Sequence, residues 1–138
     1  MKNTLLLIQY VRKFLVEDEK VKLYVKDKVY PLDALQGTSF PFIVLTRQSI
    51  TPYNSKDGHY QEECAVQVTI VANNYTDSVE LANKVRECLE CTNYRYKDDE
   101  INIVDCMMTG CYESMYNNAY IQTLDFQYEI GFLSKVVG

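Results

Sequence analysis

At 138 residues, with 47% apolar and 24% charged side chains, the chain has the size and composition of one globular domain, able to bury roughly 68% of the surface its unfolded form exposes. A net charge of -5 argues against a nucleic-acid-binding surface, which needs a basic patch, and no stretch nears the ~20 apolar residues of a membrane helix. The start, Met1 to Ile8, faintly resembles an export signal, but Gln9, Arg12 and Lys13 interrupt the apolar run and no small-residue cleavage site follows. A helix is expected there, in a protein made and kept in the cytoplasm.

Residues 4–16 place Leu7, Val11, Phe14 and Leu15 at helical spacing, with Asn3 or Thr4 available as a cap. Glu17 and Asp18 open a shorter helical or turn segment that ends near Val25, and Val29-Tyr30-Pro31 reads as extended. Gly37-Thr38-Ser39 is a turn, and Phe40 to Ile50 a β-rich run with Pro41 near its start. Thr51 to Gly58 is full of turn formers and predicts an exposed loop between antiparallel strands. From about His59 to Ala72 the alternation is clear, with Cys64, Val66, Val68 and Ile70 on one face. Thr76 and Asp77 begin a helix whose buried stripe is Leu81, Ala82, Val85, Cys88 and Leu89. Thr92 to Glu100 is expected to be a charged loop. Ile101 to Thr109 and Tyr120 to Phe132 are expected strands, joined by a polar loop from Gly110 to Asn118.

The expected architecture is α+β: a single domain over residues 1–138, in the order α-β-β-β-α-β-β. Its mainly antiparallel sheet has four to five strands, with two main helices on one face.

Few residues offer chemistry. The five cysteines leave one unpaired under any disulfide scheme, and without an export signal free thiols are the default. Cys88 and Cys91, with Cys106 and Cys111, supply four thiols for a zinc site. However, Cys88 lies in a buried helical stripe, Cys106 lies mid-strand, and the glycine-bearing knuckles of zinc ribbons are missing. The same C-x-x-C at a helix C-terminus has the wrong end of the dipole for a reactive thiolate. His59, the sole histidine, flanks a loop with no triad partners, and Asp98-Asp99-Glu100 lacks the spacing of a calcium loop. The five glycines stand singly, so no phosphate-binding loop exists. A non-enzymatic protein with no catalytic residues, cofactor or metal is expected.

Four passages resemble a known family. Lys28 to Gly37 contains Val29-Tyr30-Pro31, Ala34 and Gly37, and Phe40-Pro41-Phe42-Ile43-Val44-Leu45 follows it. Gln67 to Ala72 then leads into Leu81-Ala82-Asn83-Lys84-Val85-Arg86, and Gln122 to Tyr128 closes the series. In order and spacing these are similar to small tailed-phage and prophage proteins described as tail-completion, tail-terminator-like or head–tail-joining components. The cysteines, the twelve tyrosines and the Gly110–Asn118 segment depart from that pattern.

The resemblance implies a structural subunit that joins a ring, typically a hexamer, on the end of a tail tube. The ring stops tube growth and presents a surface to the head connector. The implied partners are further copies of the chain, the tail tube protein and head–tail connector proteins, with no specific nucleic acid and no membrane. The implied location is the host cytoplasm during assembly and then the virion tail. A neck or head–tail joining ring is the near alternative. A small metal-binding or thiol-dependent enzyme or regulator, using the cysteines and His59, is the alternative of a different class. Interface candidates are Tyr53, Lys56, Asp57, His59 and Tyr60 around the first long loop, which would meet a neighbouring subunit or line the ring opening, and Tyr112 and Tyr116 in the second.

Overall fold

The structure is a computed structural model and describes residues 3–54, 60–92 and 95–131. A 3-10 turn, Thr4–Leu6, leads into α1, Leu7–Glu17. Neither Asn3 nor Thr4 caps this start: the Asn3 side chain donates to the Glu100 carbonyl (2.6 Å), and the Thr4 hydroxyl donates to Glu62 (2.6 Å). Leu7, Val11, Phe14 and Leu15 are buried, as their spacing predicts. Asp18 then takes an extended backbone, and its carboxylate accepts the Lys20 and Val21 N–H groups (3.0 Å each), starting α2, Glu19–Val25. Lys26, in the left-handed region at φ 58°, ends it.

Strand β1, Val29–Pro31, is held to α1 by the Arg12 guanidinium, which donates to the Val29 carbonyl (2.9 Å). Gly37, at φ +81°, makes the turn that precedes the long strands. β2, Phe42–Asn54, and β3, Tyr60–Ala72, pair antiparallel. Asn74 caps α3, Tyr75–Arg86, by accepting the Asp77 N–H (2.8 Å), and a π-helical turn, Glu87–Thr92, continues it. The chain finishes with β4, Tyr96–Lys97, β5, Asn102–Tyr116, and β6, Ala119–Gly131.

The fold is α+β, and its sheet has six strands in the order β1-β2-β3-β6-β5-β4 rather than four to five. Among the described residues only β1 pairs in parallel. Three helices pack on one face around Val66, Val68, Ile70, Leu124, Phe126 and Tyr128.

Three expected loops are corrected. The segment Thr92–Glu100 holds β4, and β2 runs on through Thr51–Asn54. The segment Gly110–Asn118 is the second half of β5 plus a tight turn, with Asn117 and Asn118 at φ 48° and 63°. Two consecutive positive φ values suit a two-residue hairpin, and asparagine tolerates them better than most side chains.

Gly131 shows a different need for glycine. A Cβ there would stand 2.7 Å from Asn102 Nδ2 and 2.8 Å from Val104 Cγ2, so any larger residue would have to displace these two side chains.

Candidate assembly interface

The candidate tyrosines reach both ends of the sheet. Tyr53 and Tyr60 belong to β2 and β3 at their hairpin end, in register with Gln61 and Asn54. Lys56, Asp57 and His59 lie outside the described residues. Tyr112 and Tyr116 are strand residues of β5, 56% and 70% exposed; Tyr116 stands beside the β5–β6 turn, and Tyr112 lies further in, opposite Thr123, with its hydroxyl 3.4 Å from Gln67. The register Ala72↔Tyr120 at one end of the β3–β6 pair and Gln61↔Gly131 at the other puts the two hairpin tips at opposite ends of the sheet. Tyr53 and Tyr60 therefore lie at one end and Tyr116 at the other, with Tyr112 between them toward the middle of the sheet.

Between the two ends run two strand edges. β1 covers only Ile43–Leu45 of β2, so Thr46–Asn54 has no strand beyond it among the described residues. β4 covers only Asn102 and Ile103 of β5, so Asp105–Tyr116 likewise has no strand beyond it among the described residues, and Asp105 itself accepts the Cys106 N–H (2.9 Å). A further contact guards that edge: the Glu90 carboxylate accepts the Met108 N–H at 2.8 Å and pairs with Arg86 at 2.6 Å. Burial alone would raise the Glu90 pKa, but these two partners hold it below the ordinary glutamate value.

The sheet face away from the helices carries a feature that reading the sequence missed. Leu32, Phe40, Phe42, Val44, Val71 and Ile121 line an open trough of about 430 Å³, with Tyr116 and Asn117 at its rim. The Phe40 and Phe42 rings stack at 5.8 Å. The unbroken apolar run Phe42-Ile43-Val44-Leu45 was its signal, since a strand with one solvated face would alternate. Toward the Tyr60 end the same face turns polar: Gln67 donates to Asp125 and Gln127 to Glu63, each at 3.1 Å.

Among the described residues the thiols do not gather into a metal-binding group. Cys64, Cys88 and Cys106 are buried thiols without a disulfide, and Cys111 is exposed. Burial pushes the thiol pKa of Cys64 up to about 11 and of Cys106 up to about 12, so both stay protonated and unreactive at neutral pH. They lie near Tyr128, as does Cys88; the buried Tyr128 hydroxyl has no good hydrogen-bond partner among the described residues, the weak thiol of Cys106 being the main group acting on it. Among the described residues no three Cys, His, Asp or Glu side chains are grouped to hold a metal.

The acidic run is engaged in a turn. Asp98 accepts the Glu100 and Ile101 N–H groups (2.8 and 2.9 Å), while Tyr10 donates to Glu100 (3.2 Å). Burial, followed by these carboxylates, raises the Tyr10 pKa. No helix among the described residues is long and apolar enough to cross a membrane.

The surface that remains consists of strand edges, an apolar trough and two tyrosine-bearing ends. Among the described residues these features offer surfaces for binding.

Among solved structures, one chain from the "Virion of native gene transfer agent (GTA) particle" has the same fold. Its TM-score is 0.72 at 12% identity, over 88% of this chain and 92% of that one. No curated protein matches the chain in sequence. A family profile described as "Tail completion protein gp17" matches residues 9–107, from α1 into the first half of β5. The chain belongs to the tail completion protein gp17 family and is a structural component of the phage tail.

Proposed function

We propose that the protein is a tail-terminator subunit that acts by ring assembly. Copies gather on the last ring of a finished tail tube, stop its growth and offer a surface to the head connector. The observation that carries this reading is the placement of the candidate tyrosines. Tyr53 and Tyr60, with Lys56, Asp57 and His59 between them in sequence, mark one end of the sheet, and Tyr116 marks the other, with Tyr112 four residues further in on the same strand. A ring between a tube and a connector needs two different contact faces, and the sheet carries tyrosine at each end. The open edges between the ends are then left for neighbouring copies.

In this reading residues 1–138 act as one unit without catalysis, cofactor or metal. The protein assembles in the host cytoplasm and ends in the virion. Free subunits associate weakly, and contacts to a tube end reinforce contacts between copies because the binding events are linked. A ring that formed readily in isolation would cap tubes too early.

The test is to express the cognate tail tube protein with and without this chain and measure tube length by electron microscopy. Shorter, uniform tubes with the protein at their ends are expected. Tubes of unchanged length with no protein at their ends would overturn the terminator reading and leave a neck or head–tail joining ring in its place.

A further inference from the structure

The two open edges complement one another. β5 runs antiparallel to β6, β6 to β3, and β3 to β2, so β5 and β2 point in opposite directions. Copies set side by side in the same orientation therefore bring the β5 edge of one against the β2 edge of the next as an antiparallel pair. The open stretches are also regular where it matters. β5 has register shifts at Ile103/Asp105 and Met108/Gly110, but from Gly110 to Tyr116 its ladder to β6 is continuous. β2 has one shift at Arg47/Ser49 and is continuous from Ser49 to Asn54.

An exposed edge of this kind normally carries lysine, proline or a bulge to prevent pairing. Gly110–Tyr116 carries none, and the whole of β5 lacks Lys, Arg and Pro. Its exposed side chains include Tyr112, Met115 and Tyr116. On β2, Pro52 is a residue that strand edges tolerate, and it removes at most one donor from a ladder.

We infer that neighbouring copies join by an antiparallel main-chain ladder between Gly110–Tyr116 of one and Ser49–Asn54 of the next. The inference rests on the ring reading for the presence of several copies, and it commits to a second copy of this chain as the occupant of the edge. It also carries a geometric consequence. β1 covers β2 toward the Phe42 end, while β4 covers β5 toward the Asn102 end. The open stretches therefore meet only when each copy is stepped along the strand direction. Such a step closes into a ring when the strands are inclined to the ring axis, as in a barrel.

Two measurements test it. In a regular antiparallel ladder the N–H groups of consecutive residues point alternately to one side and the other. Of Ser114→Pro and Met115→Pro, one therefore removes a bond to β6 and the other only an outward donor. The variant that keeps the wild-type melting temperature is expected to lose capping of tubes and self-association by roughly tenfold or more, from one lost ladder bond and the proline ring set against the neighbouring strand. The second measurement uses the wild-type chain alone, by hydrogen exchange on assembled and free protein. Alternate amides in Gly110–Tyr116 and in Ser49–Asn54 are expected to slow by roughly tenfold or more on assembly.

A stable proline variant that assembles like the wild type would overturn the inference. So would edge amides that exchange equally fast in both states. Capped tubes with unprotected edges would remove this inference and keep the terminator reading. Protected edges with unchanged tube length would do the reverse.

Discussion

The two faces of the β3–β6 pair are built from alternate residues of the same strands, yet they differ in almost every respect. On the helix side Val66, Val68 and Ile70 meet Leu124, Phe126 and Tyr128, nearly all without solvent exposure. On the other side Gln67 bonds Asp125 and Gln127 bonds Glu63, while Val71 and Ile121 floor the open trough. One register serves both faces, because side chains along a strand alternate with a period of two. The helix-side residues complete the core without any help from the outer face. The outer face is thus free to change with whatever it contacts, and substitutions on the two sides should separate stability from association.

The strongest way to test that separation is Phe126→Ala. It leaves a cavity in the buried core and should cost about 3–5 kcal/mol in denaturant unfolding. A loss below about 1 kcal/mol would mean that the helix-side face is not the core.

A smaller effect of opposite sign is expected from Tyr128→Phe, which removes a buried hydroxyl lacking a hydrogen-bond partner. A gain of about 1 kcal/mol is the expected outcome, and a lower melting temperature would show that the Cys106 thiol is a real partner.

The smallest change in stability belongs to Tyr112→Ser on the outer face. Its ring is exposed, and its hydroxyl receives only a long contact from Gln67 (3.4 Å). The folded monomer should stay within about 0.5 kcal/mol of the wild type. Tube capping, scored by electron microscopy, should nevertheless weaken. Equal loss of both properties would place Tyr112 in the scaffold.

The helix-side face was the part most legible in the sequence. Cys64, Val66, Val68 and Ile70 alternate with polar residues, and Leu7, Val11, Phe14 and Leu15 keep a helical stripe, because each has one buried side. The second half of β5 was hidden for the opposite reason. Cys111 to Tyr116 is exposed at a sheet edge, so burial imposes no alternation and the segment reads as a polar loop. Its turn did leave a mark in Asn117-Asn118, a pair suited to positive φ.

Thr51–Asn54 looked like a loop because of Pro52. The pairing of Thr51 with Glu63 and Tyr53 with Gln61 overrides that local preference. β4 has only two residues, too few to show any pattern. As for the candidate interface, the sequence names its tyrosines one by one, and Tyr112 and Tyr116 are exposed. The placement of the candidate tyrosines along the sheet depends on strand register, which no local pattern carries.

The strand order also has a kinetic consequence. β2–β3 and β5–β6 are hairpins of neighbouring strands, each able to form through a short chain closure. The centre of the sheet, however, is the β3–β6 pair, which joins Gln61 to Gly131 and Ala72 to Tyr120 across the whole of α3 and the β5 hairpin. Closing that span costs chain entropy before any central contact is gained, so docking of the two hairpins is the expected slow step of folding. Until it happens each hairpin has an additional unpaired edge. A nascent chain meeting another at high concentration during virion production could then pair in the wrong register, and the helices that cover the finished core are what make the correct docking irreversible in practice.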